Sequence, residues 1–110
     1  MRGKIMIGNR EIEMAANAAS PFYYKEIFKE DFLLKAQETP PDVNIFVKMG
    51  FIMAKQAEKG HADMMKLPPE EFFNWLSEFE PMDILNAAGE ISNLYMGQTE
   101  QMSAPKSEDA

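Results

Sequence analysis

Residues 42–60, DVNIFVKMGFIMAKQAEKG, hold the densest apolar run in the chain. Val43, Ile45, Phe46, Val47, Met49, Phe51, Ile52, Met53 and Ala54 fall on nearly every side of a 3.6-residue period. A helix that is apolar all round belongs at the buried centre of a domain. Asp42 is placed to cap its first turn and Gly60 to end it. One such helix cannot cover itself, so the flanking segments must supply the surrounding layers.

On the N-terminal side, Pro40–Pro41 stops a helix read over PFYYKEIFKEDFLLKAQE (21–38), with a break allowed near Glu30–Asp31. Phe28, Phe32 and Lys35–Ala36 keep roughly helical spacing within it. Ser20–Pro21 makes a serviceable start, Ser as a cap and Pro at the first helical position. Further upstream, residues 4–14, KIMIGNREIEM, alternate in polarity about Gly8–Asn9, a signal for a tight primed turn. Such a hairpin pairs Ile5 with Ile12 and Ile7 with Arg10. Its Ile5, Ile7, Ile12 and Met14 then share an apolar face, opposite Lys4, Met6, Glu11 and Glu13. A lone two-stranded ribbon is barely stable in water, so that face is expected to lie on helices of the same chain.

On the C-terminal side, GHADMMKLPP (60–69) reads as a connection ahead of a short helix opened by Pro69, Glu70 and Glu71. The spacing predicts that Phe72, Phe73, Leu76 and Phe79 share the buried face, with Trp75 at its border. Pro81 opens a last helix, PMDILNAAGEISNLYMG, with Ile84, Leu85, Ala88, Ile91 and Tyr95 as its apolar stripe and Asn86, Glu90 and Asn93 away from it. This helix is expected to cover the central one. After Gly97 the sequence QTEQMSAPKSEDA has no apolar period. The expected architecture is therefore mainly α with a small N-terminal β-hairpin (α+β), a compact bundle of about four helices. It forms a single domain over 1–97 (hairpin 4–14, helical part 20–97), followed by a mobile polar tail over 98–110.

Composition narrows the function classes. The chain has 110 residues, enough for one modest core. No apolar run reaches the ~18 residues that span a bilayer, and MRGKIMIGNREIEM turns polar too early for a secretory leader, so a cytoplasmic protein with no membrane partner is expected. Eighteen acids face eleven bases, a balance that does not attract nucleic acid. The excess is uneven: residues 1–68 hold nine acids and ten bases, whereas 69–110 hold nine acids and the single base Lys106.

Catalytic constellations are absent from the pattern. With no cysteine and one histidine, His61, neither a thiolate zinc site nor a nucleophilic triad can be assembled, and phosphate-binding glycine patterns are missing. His61 reads as a surface loop residue. Paired carboxylates such as Glu11 with Glu13 and Glu70 with Glu71 sit on exposed faces or a helix start, without the apolar cleft a general acid needs. The expectation is a protein that is not an enzyme, has no catalytic, cofactor or metal site, and acts by docking to other proteins.

Ten methionines are the compositional oddity, since thioethers both fill cores and adapt to partner shapes. Met49 and Met53 read as core. Met64 and Met65 stand side by side among polar residues, where contact with a partner and folding back on the core are both open. Trp75 and Tyr95 could anchor an interface, although their helical spacing favours the core. The candidate partner-contacting residues are thus Met64, Met65, Trp75 and Tyr95, about a groove expected between the central and last helices.

The order of hairpin, central helix with FIMAKQAEKG, then FFNWLSEFEPMDILNAAGEISNLYMG and a polar tail resembles the tail assembly chaperones of long, flexible-tailed phages and prophages of Gram-positive bacteria. The likeness spans about residues 4–97. It rests on Met53-Ala54-Lys55-Gln56-Ala57 and on the Phe73, Trp75-Leu76, Phe79, Asp83-Ile84 pattern. The resemblance implies a cytoplasmic factor that binds the tape measure protein, helps recruit tail tube subunits and is absent from the finished virion. It also implies a frameshifted longer product diverging after Gly97, although GHADMMKLPP and the acidic ending SEDA depart from the pattern. The hairpin's free edges permit self-association by strand pairing, which Lys4, Glu11 and Glu13 discourage. The competing class is a small acidic regulatory inhibitor, an antitoxin or anti-defence protein acting by charge mimicry. Such a mimic needs acids arrayed on an ordered surface, whereas most of the C-terminal acids fall at element ends or in the tail.

Overall fold

The computed structural model describes residues 2–40 and 42–109, with side chains as far as Gly97. Two strands, β1 (Arg2–Ile7) and β2 (Arg10–Ala15), precede six helices: α1 (Ser20–Phe28), α2 (Phe32–Ala36), α3 (Asn44–Glu58), α4 (His61–Met65), α5 (Glu70–Leu76) and α6 (Pro81–Asp109). The fold is mostly helical with an N-terminal antiparallel hairpin, and four of these helices have seven residues or more. Among the described residues no helix is long and apolar enough to cross a membrane. The tail expected over 98–110 lies outside the residues whose side chains are described.

The hairpin has the expected register, Ile5 opposite Ile12 and Ile7 opposite Arg10. Gly8 takes φ 65° while Asn9 keeps a negative φ, the pattern of a type II′ turn, whose twist matches that of the strands. Ile5, Ile7 and Met14 are buried and Ile12 half-buried. Arg2–Glu13 and Lys4–Glu11 ion pairs line the opposite, solvated face. The apolar face rests on α3 through β2 and on α6 through β1.

Helix α3 is the core. Ile45, Val47, Met49, Phe51, Ile52, Met53 and Ala54 are all buried, as an all-round apolar helix requires. Asp42 shapes its first turn, accepting the Asn44 N–H on its carboxylate at 2.9 Å and the Ile45 N–H on its carbonyl at 3.1 Å. The break in the preceding helix falls at Lys29, which ends α1 in the left-handed region (φ 59°), and Asp31 then caps α2 by accepting the Leu34 N–H. Ser20 does not cap α1. Its buried hydroxyl accepts the Asn17 N–H at 3.0 Å and donates to Gln56 Oε1 at 2.5 Å, tying the start of α1 to α3.

The expected connection 60–69 contains a turn of helix, α4, opened by Gly60 and held by the Met64 N–H donated to the Gly60 carbonyl. The turn swings Met64 into the core. Of the expected face of α5, Phe72 is buried and Leu76 and Phe79 are half-buried against the core, but Trp75, expected at the border, takes the buried place expected of Phe73. Trp75 lies edge-on to Phe51, with ring centroids 5.8 Å apart, and Phe73 is left in solvent. In α6 the buried stripe is Ile84, Ala87, Ala88 and Ile91, extended by half-buried Leu94 and Tyr95, whereas Leu85 is exposed.

Three glycines make the seat of α6. A Cβ at Gly50 would stand 2.4 Å from Ile91 Cδ1, one at Gly3 2.7 Å from Leu94 Cδ1, and one at Gly8 2.6 Å from Asp83 Oδ2. A Cβ at any of the three would therefore force the facing α6 side chain to shift. Gly89 is different: it lies within α6, exposed, with nothing near its missing Cβ. Overpacking a filled core costs about 1–3 kcal/mol, so Gly50→Val is expected to lower the midpoint of chemical denaturation. Gly89→Ala is expected to raise it by the equivalent of about 0.5–1 kcal/mol through helix propensity. Equilibrium unfolding followed by circular dichroism checks both signs.

Candidate functional site

The four residues singled out from sequence do not gather on one surface. Met64 is 2% exposed and Trp75 6% exposed, and both belong to the core. Tyr95 is half-buried with its ring 5.3 Å from that of Phe32, and burial raises its hydroxyl pKa. Met65, at 48% exposure, is the one that reaches solvent freely. It borders an open recess of ≈ 600 Å³ between α1 and α4, shared with Phe22, Tyr23, Lys25, Lys29 and His61. There the Tyr23 hydroxyl and His61 Nδ1 share a hydrogen bond of 2.7 Å. His61 is the first residue of α4 and exposed, on the surface as expected, in a helix and not a loop.

The central and last helices meet directly at Gly50 and Ile91, and the space between them opens at their N-terminal ends, where α5 adds a third wall. An apolar trough runs there between α5 and α6, beside the start of α3. Two recesses of ≈ 330 Å³ each share Leu76, Ile84 and Leu85. Val47, Phe72 and Phe73 extend the first, Phe79 and Pro81 the second. Phe73 is 68% exposed and Leu85 46%, with Val43 and Met82 also open to solvent close by in sequence. Large apolar side chains left in water at these positions gain by being covered, about 25 cal/mol per Å² of apolar surface.

These surface residues carry a sequence signal that the spacing argument passed over. Neighbours in a helix point about 100° apart, so on a helix covered from one side two large apolar residues in succession divide between core and solvent, whereas Tyr23–Tyr24 and Phe51–Ile52–Met53, covered on more sides, are buried together. Met64–Met65, Phe72–Phe73 and Ile84–Leu85 each bury the first member and expose the second, and Leu33–Leu34 exposes both. Such doublets mark where a partner surface can form.

Polar groups near the trough hold the scaffold together. Lys48 borders it and reaches Glu30 at 3.2 Å, and Tyr24 donates a short hydrogen bond to the same carboxylate. Partial burial alone would raise the Glu30 carboxyl. The hydrogen bonds from Tyr24 and Lys48, with the charges of Lys48 and Lys35, outweigh that and hold it below the ordinary glutamate value. Burial first, then the Glu30 carboxylate, push the Tyr24 hydroxyl well above its usual value. On the other side Arg10 stands 4.7 Å over the Phe79 ring and bridges Glu78 at 3.0 Å. Among the described residues no three histidine or acidic side chains gather as a metal site. What the trough offers chemically is a shallow apolar surface with few free hydrogen-bonding groups.

No protein-family model, curated protein or solved structure matches the chain. The site must be read from its own geometry.

Two outcomes follow from this placement. Met64→Ala is expected to cost about 2–5 kcal/mol of stability and Met65→Ala less than about 0.5 kcal/mol, as read by denaturant titration. A carboxyl whose folded pKa is depressed stabilises the fold above its ordinary value and loses that contribution as pH falls through the depressed one. Acidification from neutral pH is therefore expected to cost the native chain more stability than it costs Glu30→Gln, measured as the fall in melting temperature over that range.

Proposed function

We propose that the chain is a non-catalytic tail assembly chaperone of a long, flexible-tailed phage or prophage. In this reading it binds the tape measure protein in the host cytoplasm, helps bring tail tube subunits to it and leaves before the virion is complete. The observation that carries the reading is the trough between α5 and α6, whose Phe73 and Leu85 stand in water with no role in the core.

A tape measure protein is a long helical rod whose apolar stripes stay exposed until tube subunits surround it. A factor that guards such a rod needs a shallow apolar surface that accepts many similar helical turns, because a deep pocket would select only one. The trough has that character. Trp75 supports the surface from within the fold by packing on Phe79, and Met65 with Phe22 forms a second apolar patch, between α1 and α4, suited to a further subunit. A charge-mimicking inhibitor would need acids arrayed on its contact surface, and the lining of the trough holds a single acid, Asp42.

Co-expression tests the reading. The tape measure protein is expected to stay soluble with the native chain and to aggregate with Phe73→Ser/Leu85→Ser. The two exposed substitutions are expected to change folding stability by less than about 1 kcal/mol in total. A tape measure protein that is equally soluble with or without the native chain would contradict it.

A further inference from the structure

The trough has a charged frame that the apolar lining does not explain. Over residues 69–97, the segment that builds most of it, there are six acids and no base. Asp42 borders the trough directly. Glu70 sits one helical turn before Phe73 on α5, and Glu80 immediately precedes Pro81, which lines the second recess. All three are exposed, and among the described residues none of them forms an ion pair. The two cations beside the trough are both engaged already: Lys48 with Glu30 and Arg10 with Glu78. Asp42 is thus the acid that lines the trough itself, with Lys48 neutralised by Glu30, and Glu70 and Glu80 add unpaired acids close in sequence to lining residues.

The walls also select the partner's backbone. They are mostly helical, with no strand edge among the lining residues, so an extended segment would find no ladder to join. A helical segment brings its own backbone bonds satisfied and needs only side-chain contact. Helix α5 has seven residues, about 10 Å of length, which matches roughly two turns of a partner helix.

We propose that the trough takes an amphipathic helix whose apolar stripe is flanked by Lys and Arg. The inference rests on the reading of the trough as a docking site and adds what it selects. The acids contribute orientation and discrimination, and the apolar centre holds the helix once it is seated. Helices with acidic flanks are rejected by the same frame, which also disfavours the docking of one copy's acid-rich α5–α6 face into the trough of another.

The test uses the purified full chain and two synthetic helical peptides of about 18 residues with the same Leu/Ile/Phe stripe at i, i+3, i+4 and i+7. One carries Lys and Arg beside the stripe and the other Glu. Fluorescence anisotropy is expected to show the basic peptide binding at least about tenfold tighter at low ionic strength, with the gap closing as salt shortens the screening length. In the triple variant Asp42→Asn/Glu70→Gln/Glu80→Gln the gap should collapse while the melting temperature holds, and Leu85→Ser should weaken both peptides. Equal or reversed preference, a gap that survives in the triple variant, binding untouched by Leu85→Ser, or no binding of either peptide would overturn the proposal. Solubilisation of the tape measure protein by the triple variant separates the two ideas: retained solubilisation with no peptide preference removes the charge selection and leaves the chaperone reading standing.

Discussion

The crossing of α6 over α3 at Gly50 and Ile91 is the contact on which the rest of the structure depends. Ile91 is fully buried against a backbone with no side chain in the way, and Gly3 and Gly8 let the same helix lie down on the hairpin. Burying a side chain of that size contributes about 1.5–3 kcal/mol, and the close approach brings Ala87, Ala88 and Ile84 into the core along with it. Once the axial rotation of α6 is fixed by those residues, Leu85 has nowhere to go but outward. The apolar trough is thus a consequence of how the core closes, and its shape is as rigid as that closure.

Much of this was legible in the residues because two periods are unambiguous. The alternation about Gly8–Asn9 specifies the hairpin register residue by residue, since a slip of one would turn Ile12 and Met14 away from the face that Ile5 and Ile7 share. The all-round apolar run 43–54 specifies the central helix for a similar reason. Asp31 and Lys29 show why the helix break could be placed near Glu30–Asp31: a capping aspartate follows the last apolar residue of the first segment.

What was not legible has a common cause. A five-residue helix such as α4 is too short to display a period, so Met64 and Met65 could not be sorted from spacing, and only the turn itself decides which goes inward. In α5 the choice between Phe72 with Phe73 and Phe72 with Trp75 is a rotation of the helix about its axis, set by Phe51 on another element. The same limit narrowed the candidate site, from a groove along α3 and α6 to a trough at their N-terminal ends with α5 as a further wall. Methionine content was a weaker guide than it first looks: Met14, Met49, Met53 and Met64 fill the core, while Met6, Met65, Met82 and Met96 reach the surface. The apolar doublets of α4, α5 and α6 carry a further signal, because neighbours about 100° apart on a helix covered from one side divide between core and solvent.

If the proposed docking holds, partner contact falls on the residues that core closure leaves outside, with the core itself unmoved. Methyl NMR of the labelled chain, titrated with the proposed partner, a tape measure protein, tests that most directly. The Leu76, Ile84 and Leu85 methyls are expected to shift or broaden while Ile52 and Ile91, in the core about the α3–α6 crossing, stay where they are. Perturbation centred on Ile52 and Ile91, or confined to Met65 in the recess between α1 and α4, would contradict it.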